Sequence, residues 1–159
     1  MNNKPIIIVA GEPNSIFLEI FFKSLKFKVY KSPLILICSK KLLHNQMKKF
    51  KFKKKIKKIN HENLVISELN NKFINLIDIN YKFNKTFDKI TSKSNNYINK
   101  SFSVAFKLIK SGFTYKLING PVSKKHFLKK KYPGVTEFIS NSFSIKKSAM
   151  LIYNKKLSV

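Results

Sequence analysis

The chain of 159 residues is 43% hydrophobic, which is enough for one domain of ordinary size with a buried core. Its formal net charge of +26 comes from lysine alone, and it lacks arginine, the side chain best suited to bidentate recognition of phosphate and guanine. The excess of Lys, Asn, Ile and Phe therefore indicates the codon bias of an AT-rich genome, and we expect no specific nucleic-acid partner.

The single cysteine, Cys38, excludes an intrachain disulfide and favours a reducing compartment. Its apolar surroundings are typical of a buried strand residue rather than a nucleophile. No apolar run approaches the ~20 residues of a membrane span, and Ile6–Ala10 is too short for a signal peptide. We therefore expect a cytoplasmic protein with no membrane partner.

The start of the chain predicts a strand followed by a helix. Pro5–Ala10 is a continuous apolar run rich in β-branched residues, which is typical of a strand covered on both faces of a parallel sheet. Gly11–Asn14 is the following turn. We expect Asn14 or Ser15 to cap a helix that ends near Phe27.

The same pattern then repeats. Leu34–Cys38 predicts a second strand, and Ser39 is expected to cap a helix through about Phe50. This order of strands and helices is typical of an α/β domain. The lysine-rich run Lys48–Lys58 follows. Because the whole chain is basic, we interpret this run as a solvated helix end and loop rather than a phosphate-backbone patch.

The middle of the chain predicts two short strands and a longer helix. The strands are expected over Leu64–Ile66 and Phe73–Ile79, with Asp78 at a strand end or turn. From about Asn95 to Lys110 apolar residues recur every three to four positions, which predicts a helix. Ser111-Gly112 is expected to end it.

Two turns that end at helix starts mark the stretch Leu117–Phe138, which holds two of the chain's four glycines and two of its five prolines. A strand predicted over Tyr115–Ile118 runs into the turn Asn119–Pro121, and a helix is expected to follow. Backbone N–H groups at such a junction can hold an anion. The candidate contacts of this anion are Gly120, Ser123 (also the expected helix cap) and Lys124.

The second turn, Pro133-Gly134, precedes a short helix predicted over Thr136–Phe143. Because these two loops lie close in sequence and both end at helix starts, we expect them to form one wall of a small-molecule site. Ala149–Tyr153 predicts a last strand.

No local motif identifies a metal site, a nucleotide site or a catalytic residue. The three histidines, His44, His61 and His126, lack metal-ligand spacing, and none is paired with cysteine. We expect His44 and His61 at the surface, and no partner that would orient His126 as a general base is evident. The chain has no GxGxxG, Walker or GxSxG sequence. These residues alone predict an α/β domain with an anion site.

Three segments, in order, resemble the 4-hydroxythreonine-4-phosphate dehydrogenase family. Its opening Gly-Glu-Pro-Ala-Gly-Ile-Gly-Pro-Glu is matched by Gly11, Glu12, Pro13, Ile16 and Glu19. Leu117–Lys124 is similar to its Ile-Thr-Gly-Pro-Val-(His/Ser)-Lys, and Gly134–Phe138 is similar to its Gly-His-Thr-Glu-Phe. The resemblance covers this whole chain but only the N-terminal half of the family's length.

The resemblance implies a three-layer α/β/α fold with a mainly parallel sheet, in which residues 1–159 form the N-terminal part of a subunit with two subdomains. It implies NAD- or NADP-dependent oxidation of 4-phosphooxy-L-threonine, followed by decarboxylation, in pyridoxal 5′-phosphate biosynthesis. A divalent metal (Zn, Mg or Co) acting as Lewis acid, and a homodimer, are implied as well.

The chain departs from the family pattern at the implied substrate contacts. Thr136 keeps a hydroxyl group for a phosphate or carboxylate, whereas Val135 stands where the family has an imidazole. The family's metal-binding histidines lie beyond the last residue, so we expect no metal site in this chain. It is then a fragment, a truncated reading frame or a degenerate relative. The alternative function is a non-catalytic α/β remnant or phosphate-binding module.

Overall fold

The computed structural model describes residues 3–151. Its sheet consists of five strands: β1 (Ile6–Val9), β2 (Leu34–Cys38), β3 (Ile56–Lys58), β4 (Ile74–Asp78) and β5 (Lys116–Asn119). Their order across the sheet is β3-β4-β2-β1-β5, and every pair of neighbours is parallel. The carboxyl ends of all five strands therefore meet at one edge, where open α/β sheets bind their ligands.

Four α-helices accompany the strands: α1 (Phe17–Phe27), α2 (Lys40–Lys49), α3 (Asn95–Lys110) and α4 (Val135–Ser142). Single helical turns lie at Ile66–Glu68, Ser92–Ser94 and Lys124–Leu128. None of the helices within residues 3–151 has the length and apolar character that crossing a membrane requires.

Helices cover both faces of the sheet. Successive residues of a strand point to opposite faces, so Ile8 and Leu36 lie in one apolar cluster with the buried side chains of α1 and α2. Ile7 and Ile35 lie in the other, which α3 and Phe138 of α4 cover. Burial on both faces explains the continuous apolar runs of β1 and β2. The predicted three-layer α/β/α fold with a parallel sheet is confirmed.

The chain leaves the neighbouring strands β1 and β5 toward opposite faces. The loop after β1 leads into α1, whereas the loop after β5 leads into the turn Lys124–Leu128, whose Phe127 packs on the α3 side. Adjacent strands with diverging connections form a topological switch point. In an open α/β sheet, the crevice at this point is the expected place for a ligand.

Of the caps predicted for α1 and α2, that of α2 is confirmed and that of α1 is wrong, because the N-cap of α1 is Ile16, which makes no side-chain cap hydrogen bond. The Ser39 hydroxyl accepts a hydrogen bond from the Leu42 N–H at 3.4 Å and so caps α2. At the start of α1, the Ser15 hydroxyl accepts from the Phe17 N–H at 3.3 Å. The amide oxygen of Asn14 instead accepts from the backbone N–H of Asp88, which lies far along the chain.

Three strand predictions need correction. Leu64–Ile66 is not a strand, because Val65 and Ile66 remain 50% and 38% exposed and enter a 3-10 turn. The strand β3 lies inside Lys48–Lys58, where no strand was predicted. Only one of its three residues is apolar, because a strand at the edge of a sheet needs less apolar surface than a central one. The strand predicted over Ala149–Tyr153 is absent from residues 149–151, and its remainder lies outside the described residues.

Candidate functional site

Two glycines bring the loops after β1 and β5 into direct contact. The Gly120 N–H donates to the carbonyl of Val9 at 2.7 Å, and the Glu12 N–H donates to the carbonyl of Pro121 at 2.8 Å. Gly11 has a φ of 72°, and a Cβ atom there would overlap the Pro121 carbonyl oxygen. A Cβ atom on Gly120 would overlap the backbone that follows β1. Both positions therefore require glycine for lack of space.

A buried carboxyl group lies beside this contact. Glu12 is 3% exposed, and its Oε2 accepts a hydrogen bond from the Ser94 hydroxyl at 2.9 Å. Its Oε1 accepts from the Asn14 N–H at 3.4 Å. Burial raises the pKa of Glu12, although both hydrogen bonds and the positive charge of nearby His126 oppose the rise. Since Ser94 directly precedes α3, the carboxyl group ties the loop after β1 to that helix.

One feature of the sequence could have identified Glu12 as a residue of the site. The chain has only seven acidic residues, and this one follows a buried strand within a turn. Acidic side chains are almost never fully buried without partners, so its burial points to a specific role. Its hydroxyl partner, Ser94, lies 82 positions away, and no local pattern connects the two residues.

The fold also brings His126 close to residues that are distant in the sequence. The backbone N–H of His126 donates to the Ser123 hydroxyl at 3.0 Å, so Ser123 caps the turn Lys124–Leu128 as predicted. The His126 carbonyl accepts from the Asn95 side-chain amide at 2.7 Å. The turn that carries His126 is therefore tied to the start of α3, and the charge of His126 is near enough to Glu12 to oppose the rise in the Glu12 pKa.

A cavity of about 440 Å³ lies within the stretch 117–138, lined by residues between 124 and 133. Its lining includes Tyr132 and Pro133 together with three lysines, Lys124, Lys125 and Lys130. Of the residues predicted to contact a ligand, Lys124 belongs to this lining, so the site wall stays a prediction. Lysine ammonium groups can donate charge-assisted hydrogen bonds, so this cavity is chemically suited to a phosphate or carboxylate.

Of the sequence-predicted contacts, the structure places Lys124 in the lining of this cavity and Gly120 and Ser123 outside it. The Gly120 N–H already donates to the Val9 carbonyl. The Ser123 hydroxyl accepts from the backbone N–H of His126, which leaves its own hydrogen to donate. In the structure, Gly120 and Ser123 shape the turn that carries Lys124.

Val135 and Thr136 begin α4, directly after the turn that contributes Pro133 to the same cavity. Both residues are half-buried. Phe138 anchors the helix on Phe127, with ring centroids 5.4 Å apart. The first turn of α4 is thereby held next to the turn Lys124–Leu128.

Asp78 has a structural role at the end of β4, as its position predicted. One oxygen accepts from the Lys40 N–H at 2.9 Å, at the start of α2, and the other lies 3.4 Å from the Lys58 ammonium group. His44 is exposed on α2, and His61 is half-buried in a turn. Within residues 3–151, no three His, Cys, Asp or Glu side chains are grouped as metal ligands, so these residues do not fit the implied metal.

The implied dinucleotide does not fit the first loop either. A pyrophosphate-binding turn needs glycines that leave space for the ligand. Here the space beside Gly11 is filled by the Pro121 carbonyl, and that beside Gly120 by the backbone that follows β1. The turn after β5 therefore occupies the space beside the loop after β1 that a pyrophosphate would need.

The lysine-rich run Lys48–Lys58 contributes its aromatic residues to the core. Phe52 is 7% exposed and stacks on Phe22 with ring centroids 4.7 Å apart. It therefore does not offer a face on which a nucleic-acid base could stack. The run comprises the end of α2, a turn and the edge strand β3, rather than a helix end and loop alone.

Comparison with known proteins connects these features to one family. The family model described as pyridoxal phosphate biosynthetic protein PdxA matches residues 30–159. The structure is similar to a 4-hydroxythreonine-4-phosphate dehydrogenase from Burkholderia phymatum, with a TM-score of 0.81 and 19% identity over 98% of this chain and 48% of that chain. The corresponding dehydrogenase from Klebsiella pneumoniae has a TM-score of 0.81 and 21% identity, over 98% and 49%.

At these identities, the likeness to solved structures establishes the fold. The chain spans about half the length of the two dehydrogenases. No curated protein matches the chain at a significant level.

Proposed function

The chain belongs to the family of the pyridoxal phosphate biosynthetic protein PdxA, and from this premise we propose that it forms the N-terminal part of a dehydrogenase subunit. The proposed reaction is oxidation of 4-phosphooxy-L-threonine with NAD or NADP, followed by decarboxylation, in pyridoxal 5′-phosphate biosynthesis. We further propose a homodimer in the cytoplasm. The observation that carries the proposal is the family match over residues 30–159, which includes all five residues that line the cavity with Lys124.

In this proposal, the described residues bind and orient the phosphate end of the substrate. Lys124, Lys125 and Lys130 line one cavity and supply positive charge to a phosphate group. Thr136, in the first turn of α4, donates its hydroxyl hydrogen to the same group or to the substrate carboxylate. Anchoring this end holds the rest of the substrate in one orientation, which is how remote binding energy assists a reaction.

The nicotinamide supplies the redox chemistry when it is bound. The implied metal and pyrophosphate do not fit the described residues, so we assign no step through either group. Val135 also provides no imidazole at the family's histidine position.

These same observations favour a second candidate function, a non-catalytic phosphate-binding module. Such a protein would keep the lysine-lined cavity and the Thr136 hydroxyl while lacking turnover. Substrate binding is expected under both functions, whereas oxidation is expected only under the first.

One pair of measurements separates the candidates. The protein is purified from its natural source with an antibody against this chain, and reduction of NAD or NADP by 4-phosphooxy-L-threonine is followed. Calorimetry on the 159-residue chain compares 4-phosphooxy-L-threonine with L-threonine. Turnover supports the dehydrogenase, and phosphate-selective binding without turnover supports the binding module. Equal affinity for both ligands, without turnover, would overturn both candidates.

A further inference from the structure

A second basic cavity lies at the same edge of the sheet, apart from the one that Lys124 lines. It measures about 360 Å³. Asn14 contributes from the loop after β1, Tyr81 from the segment after β4, and Thr91 from the turn before α3. Its walls therefore come from three parts of the chain that meet where the parallel strands end, which is the usual place for ligands in this architecture.

The lining carries more positive charge than the composition of the chain predicts. Lysine accounts for 33 of 159 residues, about one in five, but for four of the ten lining residues. These are Lys82, Lys85, Lys89 and Lys93, and the lining holds one carboxylate, Asp88. The net formal charge of the lining is thus +3. The concave shape brings these charges around one volume, as it does for the three lysines of the other cavity.

Neutral polar groups in the same lining are suited to donate hydrogen bonds. Thr91 Oγ1 accepts from the Lys93 N–H at 3.3 Å, which leaves its own hydroxyl hydrogen to donate. Burial, together with the negative charges of Glu12 and Asp88, raises the pKa of Tyr81, and a hydrogen bond with the Asn14 side chain opposes the rise, so the Tyr81 hydroxyl stays protonated at neutral pH. The Asn14 Oδ1 accepts from the Asp88 N–H at 3.1 Å, which fixes the orientation of its amide.

We propose that this cavity is a binding site for a small phosphate compound with two or more negative charges, such as a diphosphate. The four ammonium groups supply the charge, and the Tyr81 and Thr91 hydroxyls supply directed hydrogen bonds. The inference does not rest on the proposed dehydrogenase function, since it concerns a different cavity and a different set of lysines.

The test is calorimetric titration of the 159-residue chain with sodium pyrophosphate at about 0.15 M salt, where exposed charges beyond ~8 Å are largely screened. Lys85→Gln/Lys89→Gln should weaken pyrophosphate binding about tenfold. The matched control is Lys53→Gln/Lys55→Gln. It removes the same charge from exposed positions before β3, on the side of the sheet where the strands begin. It should change the affinity less than twofold.

A third variant, Lys124→Gln/Lys125→Gln, separates the two cavities. The inference predicts that pyrophosphate binding survives this change. It is overturned if pyrophosphate shows no saturable binding, or if the control pair weakens it as much as Lys85→Gln/Lys89→Gln. It is also overturned if binding disappears only with Lys124→Gln/Lys125→Gln, and that result would leave the proposed function standing. Circular dichroism of each variant shows whether the fold is retained.

Discussion

The Glu12 carboxyl group accepts a hydrogen bond from the Ser94 hydroxyl at 2.9 Å, although the two residues are 82 positions apart. Glu12 lies in the loop that leads from β1 to α1 on one face of the sheet. Ser94 directly precedes α3, which covers the opposite face. A buried carboxyl group thus links the loop that leads into α1 to the residue that precedes α3. Its protonation state should consequently affect the stability of the whole fold.

Replacing Glu12 by glutamine is expected to reduce the pH dependence of stability above pH 4.5, the ordinary pKa of a glutamate. Burial raises the pKa of Glu12 in the native state, so the native protein binds more protons than the unfolded chain in this range. The free energy of unfolding therefore falls as the pH rises through the ordinary value toward the raised one. A neutral side chain removes this fall, and thermal unfolding at a series of pH values measures it.

The control is Glu62→Gln, which removes an exposed carboxyl group. This variant should retain the pH dependence of the unsubstituted protein. If Glu12→Gln and the unsubstituted protein lost stability equally with rising pH, Glu12 would not be the group responsible.

Alanine at Gly11 is expected to destabilise the protein by about 2–4 kcal/mol, because strain at positive φ adds to a steric overlap with Pro121. Gly112 is the matched control. Its φ of 75° is nearly the same, but nothing lies within 4 Å of an added Cβ atom. Gly112→Ala should therefore cost about 1 kcal/mol. Urea unfolding measures both losses, and equal losses would argue against the contact between the two loops.

Thr136→Val should weaken binding of 4-phosphooxy-L-threonine about five- to thirtyfold, since it removes a hydroxyl group worth about 1–2 kcal/mol in a charged hydrogen bond. Thr136→Ser, which keeps the hydroxyl, should bind within about threefold of the unsubstituted protein. Calorimetry gives both affinities. An unchanged affinity in Thr136→Val would remove this residue from the proposed site.

Val135→His is expected to fold and to lose less than about 1 kcal/mol of stability, since the position is half-buried at the first residue of α4. The imidazole should tighten binding of the phosphorylated substrate by adding a hydrogen-bond donor, and Val135→Leu should not. Melting temperature and calorimetry test the two effects. Failure of Val135→His to yield folded protein would show that the match to the family motif is wrong at this position.

The central strands and the main helices were predictable because burial on one or two sides produces a regular pattern of apolar residues in the sequence. The run Leu34–Cys38 is apolar throughout since both faces of β2 are covered. The helix predicted over residues 95–110 is formed over the same range. The family was also predictable, since three short motifs in order pointed to the one that the chain matches.

Elements and contacts that depend on the rest of the fold were not predictable. The edge strand β3 has one apolar residue, Ile56, and takes its strand conformation from pairing with β4. Leu64–Ile66 has a strand-like composition but lacks a partner strand among the described residues. At the site, the turns were foreseen, but the link between Glu12 and Ser94 was not, because it depends on the order of the strands.

The contact between Gly11 and Gly120 also limits how far base composition can reshape this chain. Glycine codons begin with two guanines, and the bias inferred from the composition works against such codons. Only four glycines occur in the whole sequence. At these two positions, replacement by lysine, asparagine or isoleucine would push a side chain into the opposing backbone. Mutational drift and packing therefore act in opposite directions on these two codons, and a substitution at either one would strain the contact between the loops after β1 and β5.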